Sequence, residues 1–369
     1  MVMEPFKEHF SYAKARSIAA EILRVHPGFD MKTFTRGLEK KLAPLELKQR
    51  MRAVADHIEA ALPLDAPELF AVLVKVLAGD GKHGLKGFAV WPLTEIVARR
   101  GLGHFAESMD ALAQMTQRFT AEFAIRPFIR HHHKKTLQQL HHWCDHSSKH
   151  VRRLVSEGSR PFLPWGGNLP ELLDSPYQTL DLLEKLYRDH SDYVRLSVAN
   201  HLNDFSKGNA KLVIDTLTRW RKAAPKDPHL EKLSRHACRT LLKNGRPAAL
   251  KLHGYGSADS LEIESFKLNA SSIRVGEKIA YQLVIHNKSQ QSLRVMFDYA
   301  IHHRKANGNL TPKVFKGRVK ELAAGERWEI HGTHSFRQVT TRVYHAGKHL
   351  FEPRLNGKIF PAKEFALKH

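Results

Sequence analysis

Two stretches set 43 positions apart carry the same pattern, and that repeat limits the possible fold more than any other feature. LHHWCDHSSKHVRRLVSEG at 140–158 resembles LEKLYRDHSDYVRLSVANHL at 183–202. Each has an apolar first helix, Asp-His-Ser near a turn, and a second helix that opens on Val-Arg, at Val151-Arg152 and Val194-Arg195. A looser copy covers 217–242, and RPFI at 126–129 echoes RPFL at 160–163. A period of about 40 with two helices per unit is the spacing of HEAT-type repeats. Stacked hairpins of that kind make a superhelix with a concave face. Duplex DNA, a partner helix or a peptide could each lie on such a face.

The helical reading extends upstream to the N-terminus. Apolar residues recur at helical spacing over 13–25, 34–42, 45–62 and 67–77. These runs stop at His26-Pro27-Gly28, Ala43-Pro44, Pro63 and Gly79-Asp80-Gly81, where Pro and Gly end helices. After KNGRPAALKLHGYGSADS the period changes. Residues 261–264, 279–286, 295–301, 314–319 and 327–330 alternate apolar with polar. Val275-Gly276-Glu277, Ala306-Asn307-Gly308 and Ala324-Gly325-Glu326 separate them as turns. Short strands with regular turns indicate a β-sandwich. The chain therefore reads as multidomain, α then β. Residues 1–255 form an all-α, HEAT-like repeat superhelix, 256–260 a linker, and 261–369 an immunoglobulin-like β-sandwich without the inter-sheet disulfide of antibody domains.

Charge narrows the partner. The 369 residues carry 59 Lys and Arg against 37 Asp and Glu, a net of +22. The excess divides as +12 before residue 261 and +10 from there on, so both domains suit a polyanion such as nucleic acid. Cys144 and Cys238, far apart in predicted helices, read as reduced thiols. The N-terminal MVMEPFKEHFSYAKARS has no apolar signal core, and the most apolar run, LFAVLVKVLAG at 69–79, is broken by Lys75. A cytoplasmic protein without a membrane span is expected.

Three carboxylates stand out in this cationic setting: Glu122 in FTAEFAIRPFI, Glu157 in VRRLVSEGSRPFLPWGG and Asp204 in YVRLSVANHLNDFSK. Each is expected late in the second helix of a hairpin, at similar height in successive repeats. Structural ion pairs or helix caps would explain any one of them. Together they need a reason, because carboxylates in a DNA groove repel phosphate. A base alkylated on a ring nitrogen is a cation, and its departure leaves a cationic deoxyribose. A nearby carboxylate stabilises both and can orient water.

Other chemistries have less support. His131, His132, His133, His142, His146 and His150 are dense, but the expected turn at His146-Ser147-Ser148 breaks the shared helix face that zinc would need. No metal or cofactor is expected. Walker-type and G-x-S-x-G motifs are absent.

FTAEFAIRPFI, HVRRLVSEGSRPFLPWGG, DYVRLSVANHLNDFSK and RHACRTLLKNGRPAALKLHGYG resemble the bacterial DNA-alkylation-repair glycosylases of the AlkC/AlkD superfamily. KANGNLTPKVFKGRVKELAAGERWEI and HSFRQVTTRVYHAGKHLFE resemble the immunoglobulin-like domain of AlkC-type members. The Trp-Asp-Trp arrangement of AlkD-type members has no clear copy, which favours the AlkC branch. The resemblance implies a monomeric, monofunctional glycosylase acting in base excision repair. It would remove 3-methyladenine, and also 3-methylcytosine, from double-stranded DNA without base flipping. It places Glu122, Glu157 and Asp204 as active-site acids and Trp165 beside the lesion nucleotide. Arg153 and Arg160 would contact phosphate or orient the acids. Arg152 and Arg195 would bond helix-end carbonyls or neighbouring acids. The sandwich would clamp DNA through loops 302–309 and 336–348, with Arg304, Lys305, Arg337 and Arg342 as contacts. A non-catalytic damaged-DNA-binding module and a protein-binding HEAT scaffold are the alternatives.

Overall fold

The computed structural model describes residues 4–79, 83–339 and 342–369. Met1, Val2 and Met3, Asp80 and Gly81 of the expected helix stop, and Thr340 and Thr341 of the expected 336–348 loop lie outside the described residues. The upstream helices begin where their sequence supplies acceptors for free amides. Asp30 Oδ1 accepts from the Lys32 and Thr33 amides at 2.9 and 3.0 Å, opening Met31–Thr35. Glu46 and Gln49 close a capping box at Leu47–Ala61. Asp65 accepts from the Glu68 amide at 2.9 Å, ahead of Pro67 in the first turn of Ala66–Lys75.

The repeat resolves into two hairpins, His133–Trp143 with Lys149–Gly158 and Tyr177–Leu186 with Asp192–Phe205. The second helices pack on one another, and Pro228–Ala237 packs on Asp192–Phe205. Val155, Leu183, Val194, Val198 and Leu202 are fully buried between them. Each such side chain contributes about 1.5–3 kcal/mol by leaving water. The Val-Arg arginines join the turns. Arg152 donates to the carbonyls of His146 and Ser147 at 2.8 Å and to Asp189 in the next turn at 2.6 Å. Arg195 donates to the Asp189 carbonyl and to Asp192, and reaches His229 Nδ1 at 3.1 Å.

In space the chain divides into two compact units. One runs through Asn209 and includes Lys226–Ala237; the other combines Ala210–Pro225 with Cys238–His369. This division differs from the change of secondary structure, which falls at Leu261. The stretch 256–260, expected as a linker, is held within the second unit. Gly256 O accepts from Asn356 Nδ2 at 3.0 Å, and Ala258 is buried. Gly245 and Gly357 meet there at positive φ, 63° and 81°; a Cβ on either would fall 2.6 or 2.1 Å from the other's Cα.

The sandwich has one sheet of Leu261–Leu268, Lys278–Asn287 and Arg327–Ser335. The other runs Ser272–Arg274, Lys363–Lys368, Gly347–Leu355, Leu293–Arg304 and Leu310–Leu322, with Lys358–Ile359 added on Gly347–Leu355. All five expected alternating runs lie in strands, and the turns at Gly276, Gly308 and Gly325 have positive φ as such turns require. Ile279, Leu283, Phe297, Ile330 and Phe351 form the inner faces. Leu310–Leu322 is an edge strand, exposed over most of its length. It carries Pro312 and four cations that discourage further pairing.

Candidate active site

The site is built at the ends of two second helices and in the hairpin loop after one of them. Glu157 and Asp204 each occupy the last turn of their helix, Lys149–Gly158 and Asp192–Phe205. Glu122 departs from expectation: it lies in the turn before Ile125–His131, where its amide bonds Thr120 Oγ1 at 3.3 Å. Thr120 donates to Glu122 Oε2 at 2.7 Å, a local side-chain turn that competes with helix.

Two arginines join these acids into one array. Arg153 Nη1 pairs with Glu122, and its Nη2 stands 3.6 Å from Glu157 Oε1. Arg160 divides its guanidinium, donating Nη1 to Glu157 Oε1 at 2.6 Å and Nε to Asp204 Oδ2 at 2.9 Å. The order is Glu122, Arg153, Glu157, Arg160, Asp204. Burial opposes charge on Arg160, but its bonds to Asp204 and Glu157 hold it above the usual arginine range. Three acids share two arginines, and Lys207 Nζ reaches Asp204 Oδ1 at 3.4 Å from an exposed position. Glu122 Oε2 is bonded, and its Oε1 accepts nothing within the described structure.

The neighbouring loop is held by cations on its carbonyls. Arg126, the arginine of RPFI, donates to Gly158 O and Arg160 O at 2.9 and 2.8 Å and to Gly167 O at 2.8 Å. Its burial, with Arg130 close by, brings it down to about 10, still a cation at neutral pH. Arg130 bonds Asn168 O at 2.6 Å, and Lys48 bonds Trp165 O. Phe162–Leu163 pairs with Gly167–Asn168, and the Phe162 amide donates to Asp204 Oδ2 at 3.3 Å. The hairpin is thus rooted in the acid array. Its tip presents Trp165, 60% exposed and at φ 66°, a left-handed conformation costly for a bulky residue. No contact joins Trp165 to the three acids in the described structure.

Sequence reasoning missed several members. Ser197 donates to Glu157 Oε2 at 2.7 Å, and Ser156 to Ser197 at 2.7 Å. Tyr193 lies half-exposed with Arg153 5.0 Å from its ring centre. Ser197 and Tyr193 lie on the face of Asp192–Phe205 that ends in Asp204, at helical spacing, so tracing that face back from the acid would have found them. The echo between RPFI and RPFL marked Arg126 without indicating its role.

Three of the six histidines make local structural contacts. His132 contacts Leu102 O at 2.7 Å, His133 contacts Gln178 at 2.8 Å, and His146 accepts from the Ser148 amide at 3.0 Å in the expected turn. Among the described residues no three His, Cys, Asp or Glu side chains are grouped as a metal would require. No described helix is long and apolar enough to cross a membrane.

In the second unit, Arg304, Lys305 and Arg342 line one pocket of about 490 Å³ with His303, Lys313 and His345. No carboxylate lines it. Arg342 Nη1 reaches His303 Nε2 at 3.2 Å. Arg337 is exposed outside that pocket, and Lys348, expected in the same loop, lies on the strand Gly347–Leu355.

Known proteins match along the whole chain. The structure aligns with Pseudomonas fluorescens alkylpurine DNA glycosylase AlkC, solved bound to DNA containing an abasic site analog. The TM-score is 0.91 and the identity 34%, over 99% of this chain and 100% of that one. The chain belongs to the AlkC family. A second relative, the uncharacterized protein YhaZ of Bacillus subtilis strain 168, is 35% identical over 98% of this chain and 99% of its own. Residues 262–369 match the family model of the C-terminal Ig-like domain of the uncharacterised protein YhaZ.

Proposed function

We propose that this protein is a monofunctional DNA glycosylase. It hydrolyses the N-glycosidic bond of cationic alkylated bases in duplex DNA, 3-methyladenine first and 3-methylcytosine with it. It works in the cytoplasm as a monomer in base excision repair. One observation carries the reading: a buried array in which three acids share two arginines, inside a chain of net charge +22. The guanidiniums hold the acids in place. The acids outnumber the arginines by one, and the exposed Lys207 on Asp204 is the counter-cation whose place a cationic lesion or a developing oxocarbenium ion would take. The leaving base carries its own positive charge, so no strong general acid, metal or cofactor is required of the site.

Glu157 and Asp204 supply the field at the sugar, Glu122 joins them through Arg153, and Trp165 packs beside the lesion nucleotide. Arg304, Lys305, Arg337 and Arg342 grip the duplex. The AlkC relative, an alkylpurine DNA glycosylase solved on abasic-site DNA, supports both the reaction class and the partner. Because the lesion need not enter a deep pocket, attack from outside the helix without base flipping fits the exposed indole.

The test is direct. Purified protein with EDTA and methylated duplex DNA should release 3-methyladenine, resolved by chromatography. Glu157→Gln and Asp204→Asn should each abolish release while retaining DNA binding. Tight binding to methylated DNA with no free base from the parent protein would instead mark a damage-binding module. DNA affinity should fall steeply with salt, as expected when several phosphates are neutralised.

A further inference from the structure

Glu157 is the middle acid of the array, and its two oxygens are used differently. Oε1 faces the cations, Arg160 at 2.6 Å and Arg153 at 3.6 Å. Oε2 accepts a single bond, from Ser197 Oγ at 2.7 Å. Ser197 is in turn 2.7 Å from Ser156 Oγ, and both serines are buried.

The direction of this chain is fixed by proton count. An ionised carboxylate only accepts, so the one Ser197 hydroxyl proton goes to Glu157. Ser197 must then accept from Ser156. The alternative acceptor for Ser156, Arg153 O, is farther away at 3.2 Å. The backbone at Ser156 is held as well. His201 is fully buried and lies 2.9 Å through Nδ1 from Ser156 O, with Nε2 3.4 Å from Thr179 Oγ1. Burial brings His201 down to about 4, so the ring is neutral, and Nδ1 carries the proton because a carbonyl can only accept.

The terminal torsion of a glutamate is soft and nearly two-fold. Without a donor on Oε2 the carboxylate is free to turn both oxygens toward Arg160, in the fork geometry that arginine and carboxylate favour. Arg160 would then leave Asp204, which it now bonds at 2.9 Å. A single hydroxyl therefore keeps one arginine divided between two acids.

We infer that Ser197, backed by Ser156, is a positioning residue that locks the Glu157 carboxylate and thereby holds Glu157, Arg160 and Asp204 in one array. This rests on the reading of Glu157 as an active-site acid. Ser197 acts through Glu157 and makes no contact with substrate.

The experiment is single-turnover release of 3-methyladenine from methylated duplex DNA by the full chain, with DNA affinity and thermal melting measured alongside. Ser197→Ala should slow release about 10- to 100-fold, the loss expected for one hydrogen bond to a charged group. DNA affinity should stay within about twofold, because Ser197 makes no phosphate contact. The acidic limb of the pH–rate profile should move to higher pH, because a carboxylate that loses a donor is protonated more easily. Ser156→Ala, which leaves the Ser197 bond in place, should cost less than Ser197→Ala and move the same limb in the same direction.

Parent-level release by Ser197→Ala, with Glu157→Gln inactive, overturns the inference and leaves the glycosylase reading intact. A rate loss matched by an equal loss of affinity, with an unmoved pH profile, also overturns it by assigning Ser197 to packing. If Ser197→Ala melts too low to assay, an unshifted profile in Ser156→Ala overturns it instead. Full activity in Glu157→Gln would remove the glycosylase assignment of that acid and this inference together.

Discussion

The two units draw on different buried titratable groups. In the helical unit they are charged and paired: Glu122, Glu157 and Asp204 with Arg153 and Arg160, and Asp189 with Arg152. In the sandwich three histidines are held neutral, as His201 is in the helical unit, while the buried Glu352 is paired with Arg354. His303, His334 and His349 are buried around Phe336, and burial brings His303 down to about 3 and His334 to about 4. His303 Nδ1, His334 Nε2 and His349 Nε2 have no hydrogen-bond partner. The lesson is one of pairing. Charges kept out of water cost stability unless they are paired, and the helical unit pairs the acids it buries. The sandwich packs its buried histidines against aromatic rings, each with one ring nitrogen bonded, His303 to Arg342, His334 to Tyr299 and His349 to Gly347 O.

The sharpest way to break this contrast is to remove one shared cation. Arg160→Met would leave Glu157 and Asp204 buried with part of their compensation gone. Urea denaturation should show a loss of about 3–5 kcal/mol. A loss near zero would mean that water already reaches the array and that its burial is only nominal.

Acid should separate the units next. A histidine whose folded value lies below its unfolded value binds its proton in the unfolded chain first. Its stabilising contribution is whole above pH of about 6.5 and is lost as pH falls toward the folded value. For His334, with a folded value of about 4, the loss is about 3 kcal/mol. His303 adds to it over a wider window, facing Arg342, His349, His334 and Lys313. Hydrogen exchange, corrected for intrinsic rates, should show 261–369 opening between pH 6.5 and 4. His334→Phe should blunt that response.

The smallest effect concerns the exposed tip. Trp165→Gly removes a bulky residue from a left-handed backbone and should raise stability by about 1 kcal/mol, read as a higher Tm. Base release should fall in the same variant. Stability and activity would then move in opposite directions within one loop.

Backbone punctuation made most of the fold legible. Pro and Gly stops, the Val-Arg period and the alternation after 260 are local signals that correspond to observed elements, except that the run over 34–42 is split into Met31–Thr35 and Leu38–Leu42 by Gly37 at φ 70°. Strands Gly347–Leu355 and Lys363–Lys368 were passed over because Pro353 and irregular alternation disguise them. The site was legible only in part. Its acids stood out because they oppose the charge of their surroundings. Their pairing did not, because Arg153 meets Glu122 across 31 positions and Arg160 meets Asp204 across 44, distances that only helix packing closes. Glu122 was misplaced on a helix because FTAEFAI has apolar spacing, while Thr120 turns the chain there. The separation into compact units was hidden because helices such as Ala210–Ala223 look alike whether they continue a stack or support a sandwich.

The arginine at the start of each second helix has a consequence for how such a chain could grow. Arg152 and Arg195, 43 positions apart, each bond a carbonyl of their own turn through Nη1 and then reach the next turn, Arg152 at Asp189 and Arg195 at His229. A duplicated module spliced at these turns would find a guanidinium already poised to bridge the seam. Lengthening the array would need no new chemistry at the seams, and copies free of the acid cluster could drift toward other tasks.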